Sequence, residues 1–309
     1  MPEKKLTVQV GERRLTLSNL DKPLYSTGFS KAEVVRYYTH IAPLLLPHIS
    51  RRPITMVRFP DGTDGEAFFE KNCPRGAPDW VQTVTLPSSG SRSGRGPGTI
   101  TYPLIEDLPS LVWAANLAAL ELHVPQWTVC PGPKRQPPDR LVFDLDPGEG
   151  ASVVECARVA ERLLEVLTAD GLTPLPKTSG SKGLQICCGV RTRRPDRTST
   201  YAKAIAEQLA AELPDLVVAK MPKNLRTGRV LIDWSQNHVA KTTIAPYSLR
   251  GRDIPTASTQ ITWDEVRACR TPADLRFTAD DVLHRVDEHG DLLTELETSR
   301  VALPANDRR

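Results

Sequence analysis

The chain has 309 residues, of which 39% are hydrophobic and 25% are charged, with a formal net charge of +3. This composition is typical of a globular protein, and no apolar run approaches the ~20 residues of a membrane-spanning helix. The N-terminus has no secretory signal, and the six cysteines show no zinc-like spacing, so we expect a cytoplasmic protein with reduced thiols and no membrane association.

The first third of the chain is predicted to contain a hairpin and a capped helix. Residues 6–10 and 15–17 alternate apolar and polar side chains around a Gly-Glu turn, which is typical of paired strands. Ser30 and Glu33 form a capping-box pattern before a long apolar run, and Pro47 is expected to end that helix. Further predictions are a strand over residues 54–59, a flexible loop over 87–98 and a mostly buried helix over 107–122.

The rest of the chain is predicted to alternate strands and helices. An apolar strand over residues 140–146 ends in Asp-Leu-Asp, a Pro-Gly turn follows, and Ser152 begins a helix with a second capping box. Further strands are expected near residue 175 and over 184–188, 217–221 and 228–234, with a helix over 201–213. This order predicts an α/β (α+β) fold with a central, mainly antiparallel sheet flanked by helices.

Three aspartates are candidate metal ligands. Asp144 and Asp146 are two residues apart on a predicted strand, so their side chains leave the same face. Asp233 ends a second apolar strand, which we expect to be the neighbour of the first. Carboxylates that converge there would repel one another unless divalent cations lay between them, and two such ions support nucleotide transfer. A lone Asp-x-Asp before Pro-Gly is, however, more often a turn than a metal site.

A loop rich in Gly, Ser and Lys is a candidate triphosphate site. In Ser179-Gly180-Ser181-Lys182-Gly183, glycines permit close approach of the backbone, and hydroxyl, amide and ammonium groups can donate to phosphates. It is not a Walker loop, and alone it is more often a solvated turn. Other candidates are the cations Arg226, Arg229, Lys241, Arg250 and Arg252, some of them ordinary surface charges, and the aromatic pair Phe68 and Phe69, of which at least one is expected in the core.

Together these motifs resemble the polymerase domain of bacterial ATP-dependent DNA ligase D, a branch of the archaeo-eukaryotic primase superfamily. The resemblance rests on residues 68–72, 121–127, 143–147, 179–184, 232–234 and 241–252. It implies a primase-polymerase fold with an RRM-like catalytic core. A single domain is expected, with an N-terminal subdomain (1–130) for 5′-phosphate and template contacts and a catalytic core (131–309).

The resemblance also implies a function. The family is a metal-dependent, template-dependent nucleotidyltransferase that adds nucleotides, preferably ribonucleotides, at DNA ends or short gaps during repair such as non-homologous end joining. Two Mn²⁺ or Mg²⁺ ions and nucleoside triphosphates are implied. Gapped or broken DNA with a 5′-phosphate, the end-binding protein Ku and a separate ATP-dependent ligase are the implied partners of a monomeric, nucleoid-associated protein.

Residue roles follow from the same resemblance. It implies that Asp144, Asp146 and Asp233 are catalytic metal ligands. Nucleotide contacts are implied for His123, Ser179, Ser181, Lys182, Gln185, Arg226 and Arg250, and DNA contacts for Asn19, Lys22, Lys31, Phe68 and Phe69.

One position departs from the family pattern. Gln185 stands where the family usually has histidine, and glutamine carries no positive charge at any pH. The chain has no Lys-x-Asp-Gly ligase motif, so it is either a stand-alone relative or an excised domain. Two alternatives stay open: an end-binding protein that has weakened or lost its catalysis, and a haloacid-dehalogenase-type phosphatase, which leaves Asp233 unexplained.

Overall fold

The computed structural model describes residues 4–88, 98–130 and 132–304. The centre of the loop predicted over residues 87–98 therefore lies outside the described residues. Its edges are not loop, because Pro87 and Ser88 end one strand and Gly98 begins the next.

The chain divides into two compact units. The first unit is Met1–Val124, Thr128–Gln136 and Ser248–Pro255, and the second is Pro125–Trp127, Pro137–Tyr247 and Thr256–Arg309. This division differs from the predicted boundary at residue 130, because a late segment belongs to the first unit. Within that unit the amide of Leu122 donates to Ser248 Oγ at 2.8 Å, and the amide of Leu249 donates to Tyr38 Oη at 3.1 Å.

The first unit combines small antiparallel sheets with two packed helices. Strands β1 (Lys5–Val10) and β2 (Arg13–Ser18) form the predicted hairpin. The predicted capping box of Ser30 and Glu33 begins α1 (Lys31–Ile49). The next elements are β3 (Thr55–Arg58), β4 (Phe68–Glu70), β5 (Thr83–Ser88), β6 (Gly98–Pro103), α2 (Leu108–Asn116) and β7 (Ala119–Val124). Strand β3 pairs antiparallel with β4 and with β7, and β5 pairs antiparallel with β6.

Two helix ends predicted in this unit are wrong. Helix α1 continues through Pro47, and buried Leu45 and Ile49 on either side of the proline provide packing that outweighs one missing backbone hydrogen bond. Helix α2 stops at Asn116 because Ala118 adopts a left-handed conformation with φ of 55°, after which the apolar run continues as β7.

The second unit is built on one sheet. In chain order its elements are β8 (Arg140–Pro147), α3 (Val153–Ala169), β9 (Leu175–Thr178), β10 (Leu184–Arg191), α4 (Arg197–Glu212), β11 (Val217–Val218), β12 (Val230–Asp233), β13 (Thr243–Ile244), α5 (Trp263–Ala268), α6 (Ala279–His289), α7 (Glu295–Thr298) and β14 (Val301–Ala302). Strands β11, β12, β8, β10 and β14 are neighbours in that order, and β9 also pairs with β10. The central pairs are antiparallel and the two outer pairs are parallel, which confirms the predicted mainly antiparallel α+β fold.

Helices α3 and α4 contribute to the core on one face of this sheet. Fully buried Phe143 and Leu145 of β8 share this core with Leu163 of α3 and Ile205 of α4. Since side chains alternate along a strand, burial of these two residues directs the intervening and following aspartates to the opposite face.

The remaining predictions for the second unit differ in length from the observed elements. Helix α4 begins at Arg197, earlier than the predicted residue 201, and β11 is shorter than the predicted strand over 217–221. All six cysteines are free thiols, as expected. Within the described ranges, no helix has the length and apolar character needed to span a bilayer.

Candidate active site

Three aspartates of the second unit converge where β8 pairs with β12. Asp144 is the direct cross-strand partner of Asp233, and Asp146 is the partner of Leu231. Carboxylate oxygens of Asp144, Asp146 and Asp233 all lie within 4.8 Å of one another. Asp233 is buried, whereas the other two aspartates are partly exposed. The convergence that the sequence predicted is therefore present.

Asp233 is held by the residues that follow it. Its Oδ1 accepts hydrogen bonds from the amide of Ser235 at 3.1 Å and the hydroxyl of Ser235 at 2.5 Å, and its Oδ2 accepts from Gln236 Nε2 at 2.8 Å. These bonds cap the short 3₁₀ helix over Trp234–Asn237, which begins where β12 ends. The carboxylate is thereby fixed in orientation.

The electrostatics of the three aspartates favour a cation. Burial raises the pKa of Asp144 to about 7, and the charge of Asp146 acts in the same direction, as does that of Asp233. A hydrogen bond from Gln185 and the charge of Lys177 oppose this rise. Oxygen-only ligands are those that Mg²⁺ and Mn²⁺ prefer, so the residues present fit a divalent metal ion.

Gln185 and Lys177 lie in one cross-strand row with two of the three aspartates. Lys177, Gln185, Asp144 and Asp233 are successive cross-strand partners on β9, β10, β8 and β12. Gln185 Nε2 donates to Asp144 Oδ1 at 2.9 Å, and its Oε1 is buried without a hydrogen-bond partner among the described residues. The buried Lys177 Nζ donates to Ser258 Oγ at 2.6 Å. The contact of Gln185 with a triphosphate stays a prediction, whereas its contact with Asp144 is present.

The Gly-Ser-Lys loop joins β9 to β10. Ser179 Oγ accepts from the amides of Ser181 at 3.3 Å and Gly183 at 3.1 Å. A Cβ atom at Gly183 would lie 2.0 Å from the carbonyl oxygen of Leu145, so only glycine allows this close packing. The loop therefore lies against β8 between its two aspartates, with Ser181 and Lys182 exposed.

Arg226 lies in the turn before β12. Its Nη2 donates to the carbonyl of Met221 at 2.5 Å. A Cβ at Gly148 would lie 1.9 Å from the carbonyl oxygen of Arg226, so the turn after β8 packs directly on this backbone. The amide of Gly148 also donates to the carbonyl of Arg229 at 2.8 Å. Arg226 thus supports the turn that follows the acidic strand.

His123 and Arg250, both in the first unit, share one carboxylate. Glu121 and His123 lie on the same face of β7, and Glu121 Oε2 is 2.8 Å from His123 Nε2. Glu121 Oε1 is 3.3 Å from Arg250 Nε and accepts from the amide of Gly251 at 3.0 Å. Burial opposes ionisation of Glu121, but the hydrogen bond with His123 and the charge of Arg250 hold its pKa below the usual value.

Sequence reasoning assigned no role to Glu121. The Glu-x-His spacing on a predicted strand could have indicated that the two side chains meet. The contact with Arg250 had no such signal, because the two residues are far apart along the chain.

Phe68 and Phe69 of β4 are both exposed, at 47% and 60%, so the expectation that one would be in the core is wrong. With Arg58, Pro60, Ala67 and Glu70 they line a surface cavity of about 420 Å³. The ring of Phe69 lies edge-on to that of His123, with 6.3 Å between the ring centroids.

Asn19, Lys22 and Lys31 are brought together by the backbone. The amide of Lys22 donates to the carbonyl of Asn19 at 3.0 Å, and the amide of Lys31 donates to the carbonyl of Lys22 at 2.9 Å. Lys22 Nζ pairs with Asp61 at 2.9 Å. Lys31 Nζ is buried and donates to the carbonyls of Ser18 and Asn116 at 2.9 and 2.8 Å. The ammonium of Lys31 therefore stabilises the fold of the first unit.

Comparisons with known proteins address the resemblance directly. Residues 30–293 match the family described as LigD, primase-polymerase domain. The chain is 46% identical over 286 residues to the multifunctional non-homologous end joining protein LigD of Mycolicibacterium smegmatis, covering 92% of this chain and 36% of that protein. It is 31% identical over 280 residues to the bifunctional LigD of Bacillus subtilis, covering 90% of this chain and 43% of that protein.

The chain thus spans well under half the length of these relatives. Among solved structures, the polymerase domain of Mycobacterium tuberculosis ligase D in complex with DNA is 43% identical, with a TM-score of 0.85. That match covers 94% of this chain and 100% of the solved chain. The family predicted from the sequence is confirmed: the chain belongs to the LigD primase-polymerase domain family.

Proposed function

We propose that this chain is a metal-dependent, template-dependent nucleotidyltransferase that adds nucleotides at DNA ends or short gaps. The observation that carries the proposal is the convergence of Asp144, Asp146 and Asp233 within 4.8 Å in a member of the LigD primase-polymerase family. The relatives are named for non-homologous end joining, and the solved neighbour contains DNA, which supports repair of DNA ends as the setting.

Asp144, Asp146 and Asp233 are proposed to hold two divalent ions, Mn²⁺ or Mg²⁺. When bound, such ions lower the pKa of an attacking 3′-hydroxyl and stabilise the leaving pyrophosphate. The protein contributes fixed carboxylates: Ser235 and Gln236 hold Asp233, and Gln185 donates to Asp144. These hydrogen bonds fix the orientation of the two carboxylates, and oriented charges of this kind stabilise charge that develops in a reaction.

The phosphates of the incoming nucleotide are proposed to contact the loop of the second unit. Ser179 Oγ accepts hydrogen bonds from two amides of the loop. Its hydroxyl proton is still available to donate to a phosphate oxygen. Lys182 is exposed and carries a positive charge suited to a triphosphate. Further proposed nucleotide contacts are Ser181, Gln185, Arg226, His123 and Arg250.

Contacts with DNA are proposed for the first unit. The exposed rings of Phe68 and Phe69 can stack on a base, a contact that tolerates any base. Asn19 and Lys22, with Lys31 as support, are proposed to recognise a 5′-phosphate. Family membership extends the proposal to ribonucleotides as substrates, manganese as the preferred ion, and Ku and an ATP-dependent ligase as partners.

The test is extension of a labelled primer on a gapped duplex, with EDTA, Mn²⁺ or Mg²⁺. Asp144→Asn, Asp146→Asn and Asp233→Asn should each abolish nucleotide addition, because the charge of a ligand is lost while asparagine keeps the shape and can still cap a helix. DNA binding should be retained, since phosphate contacts dominate affinity for DNA. Asp264→Asn, at a highly exposed side chain of the same unit, is the matched control.

Each result has a defined meaning. Near wild-type extension by any one of the three variants would remove that residue from the ligand set. A wild-type chain that binds gapped DNA but adds no nucleotide with either metal would identify a non-catalytic end-binding protein.

A further inference from the structure

A single buried carboxylate in the first unit contacts two of the proposed nucleotide-binding residues. Only 8% of the Glu121 side chain is exposed, compared with 15% for His123 and 14% for Arg250. Its neighbours along β7, Leu120 and Leu122, are fully buried. A carboxylate in such a place is costly unless it is paired and hydrogen-bonded. Its two oxygens are both used, one towards His123 and the other towards Arg250 and Gly251.

The contact with His123 determines how its imidazole ring is oriented. An ionised carboxylate only accepts hydrogen bonds, so the ring nitrogen facing it, Nε2, carries the proton. The hydrogen bond at one nitrogen fixes the ring plane and directs Nδ1 away from the carboxylate.

The contact with Arg250 is reinforced through the backbone. Glu121 Oε1 faces Arg250 Nε and also accepts from the next amide in the chain, that of Gly251. Tyr25 Oη donates to the carbonyl of Arg250 at 2.9 Å. An ion pair therefore holds the side chain of Arg250 and a hydrogen bond from Tyr25 holds its backbone, and a guanidinium is suited to recognition of phosphate.

We propose that Glu121 is a positioning residue that orients His123 and Arg250 for contact with the phosphates of a nucleotide. This inference rests on the proposed nucleotide contacts of those two residues. Glu121 itself touches no substrate, because its oxygens are occupied by protein groups. Its removal should weaken nucleotide binding through its two partners and leave binding of DNA and metal unchanged.

Glu121→Gln tests the inference at constant side-chain size. The amide has one acceptor oxygen and one donor nitrogen, so it cannot accept from both His123 Nε2 and the Arg250 side, and the negative charge that faces both partners is lost. We expect the KM for the nucleotide to rise about 10- to 100-fold, the loss known for partners that orient the ligands of metal ions, with a smaller change in kcat. Single-nucleotide addition, direct titration with a non-hydrolysable nucleotide triphosphate and thermal unfolding are measured together.

Glu106→Gln is the matched control. Glu106 is a half-buried glutamate of the same unit that accepts from Ser50 Oγ at 2.8 Å and the amide of Arg51 at 2.6 Å. Its substitution should leave the nucleotide KM unchanged. If Glu121→Gln does not fold, Glu121→Asp keeps the charge with a shorter reach and is expected to show a smaller rise in KM.

A mutant cycle with three substitutions separates this inference from the proposed function. The effect of Glu121→Gln should largely disappear in a His123→Ala, Arg250→Lys background, because the residues act as one group. If His123→Ala and Arg250→Lys leave the nucleotide KM unchanged, the proposed nucleotide contacts fail. If those variants raise KM but Glu121→Gln lowers only the unfolding temperature, the positioning role is overturned.

Discussion

The side-chain amide of Gln185 helps to hold Asp144, a proposed metal ligand, in place. Its Nε2 donates to Asp144 Oδ1 at 2.9 Å, so the side chain supports the carboxylate from the neighbouring strand. We predict that Gln185→Leu, which keeps the approximate volume but removes the donor, raises the Mn²⁺ concentration needed for half-maximal activity about 10- to 100-fold. Gln185→His keeps a donor at this position and should retain much of the metal affinity.

A metal titration of primer extension measures this effect. Gln208→Leu, on helix α4 of the same unit, is the control and should leave the titration unchanged. A Gln185→Leu variant with wild-type metal dependence would show that Asp144 does not need this bond.

Lys22 and Lys31 differ in their partners, which separates their expected roles. Lys22 forms an ion pair with the exposed Asp61, a contact that a 5′-phosphate can replace, whereas the buried Lys31 is bonded to two backbone carbonyls. We predict that Lys22→Ala weakens binding to a 5′-phosphorylated gap by roughly 1–3 kcal/mol, the value of a lost charge-assisted hydrogen bond. Binding to an unphosphorylated gap should change much less.

Fluorescence anisotropy with the two gapped duplexes measures this difference. Asp61→Asn is the control, since it removes the partner of Lys22 but keeps the lysine, and it should leave binding equal or tighter. Equal losses on both duplexes for Lys22→Ala would make Lys22 a general backbone contact.

At the scale of elements, the sequence predicts strands better than it predicts their ends. Strand β8 was predicted to within one residue, because apolar alternation and the Pro-Gly turn mark both its face and its end. The end of α2 could not be predicted from the sequence, since the apolar run from Leu117 to Leu122 is compatible with either a helix or a strand. Alanine at 118 gives no signal either, because it has no preference for positive φ. The register of the strands could not be predicted either. The row from Lys177 to Asp233 depends on the alignment of four strands, which no local sequence pattern determines.

The join between α5 and α6 offers a test at this scale. Glu265 caps α5 by accepting from the amide of Thr262 and pairs with Arg285 of α6 at 2.5 Å. Partial burial of Glu265 opposes its ionisation, but the hydrogen bonds from Arg285 and Thr262 hold its pKa below the usual 4.5. A lowered pKa means that the stabilisation is fully present above the ordinary pKa and is lost as the pH falls through the lowered value.

We therefore predict that Glu265→Gln lowers the free energy of unfolding at pH 7 by about 1 kcal/mol, after discounting for solvent screening of a partly exposed pair. The difference from wild type should shrink as the pH is lowered below 4.5. Urea denaturation at several pH values measures it. A difference that is constant with pH would assign the effect to packing of the side chain instead of its charge.

At the scale of the whole molecule, the proposed roles fall into two groups. The three aspartates and the Gly-Ser-Lys loop belong to the second unit, whereas the aromatic pair and the 5′-phosphate candidates belong to the first. Substitutions at the three aspartates or in the Gly-Ser-Lys loop are therefore expected to change turnover, and those at Phe68, Phe69 or Lys22 to change DNA affinity. The net charge of +3 could not have indicated this distribution, because it averages over both units.

The discontinuous first unit has a consequence for synthesis on the ribosome. Glu121 bonds with an amide 130 positions further along the chain. At about 5–20 residues per second, that amide emerges roughly 7–26 s after the carboxylate that it satisfies. During this interval the nascent first unit lacks Ser248–Pro255 and carries Glu121 without its cationic partner. Most of the second unit is translated in the meantime. The first unit is therefore the first to be started, but it is completed only when Ser248–Pro255 has been made.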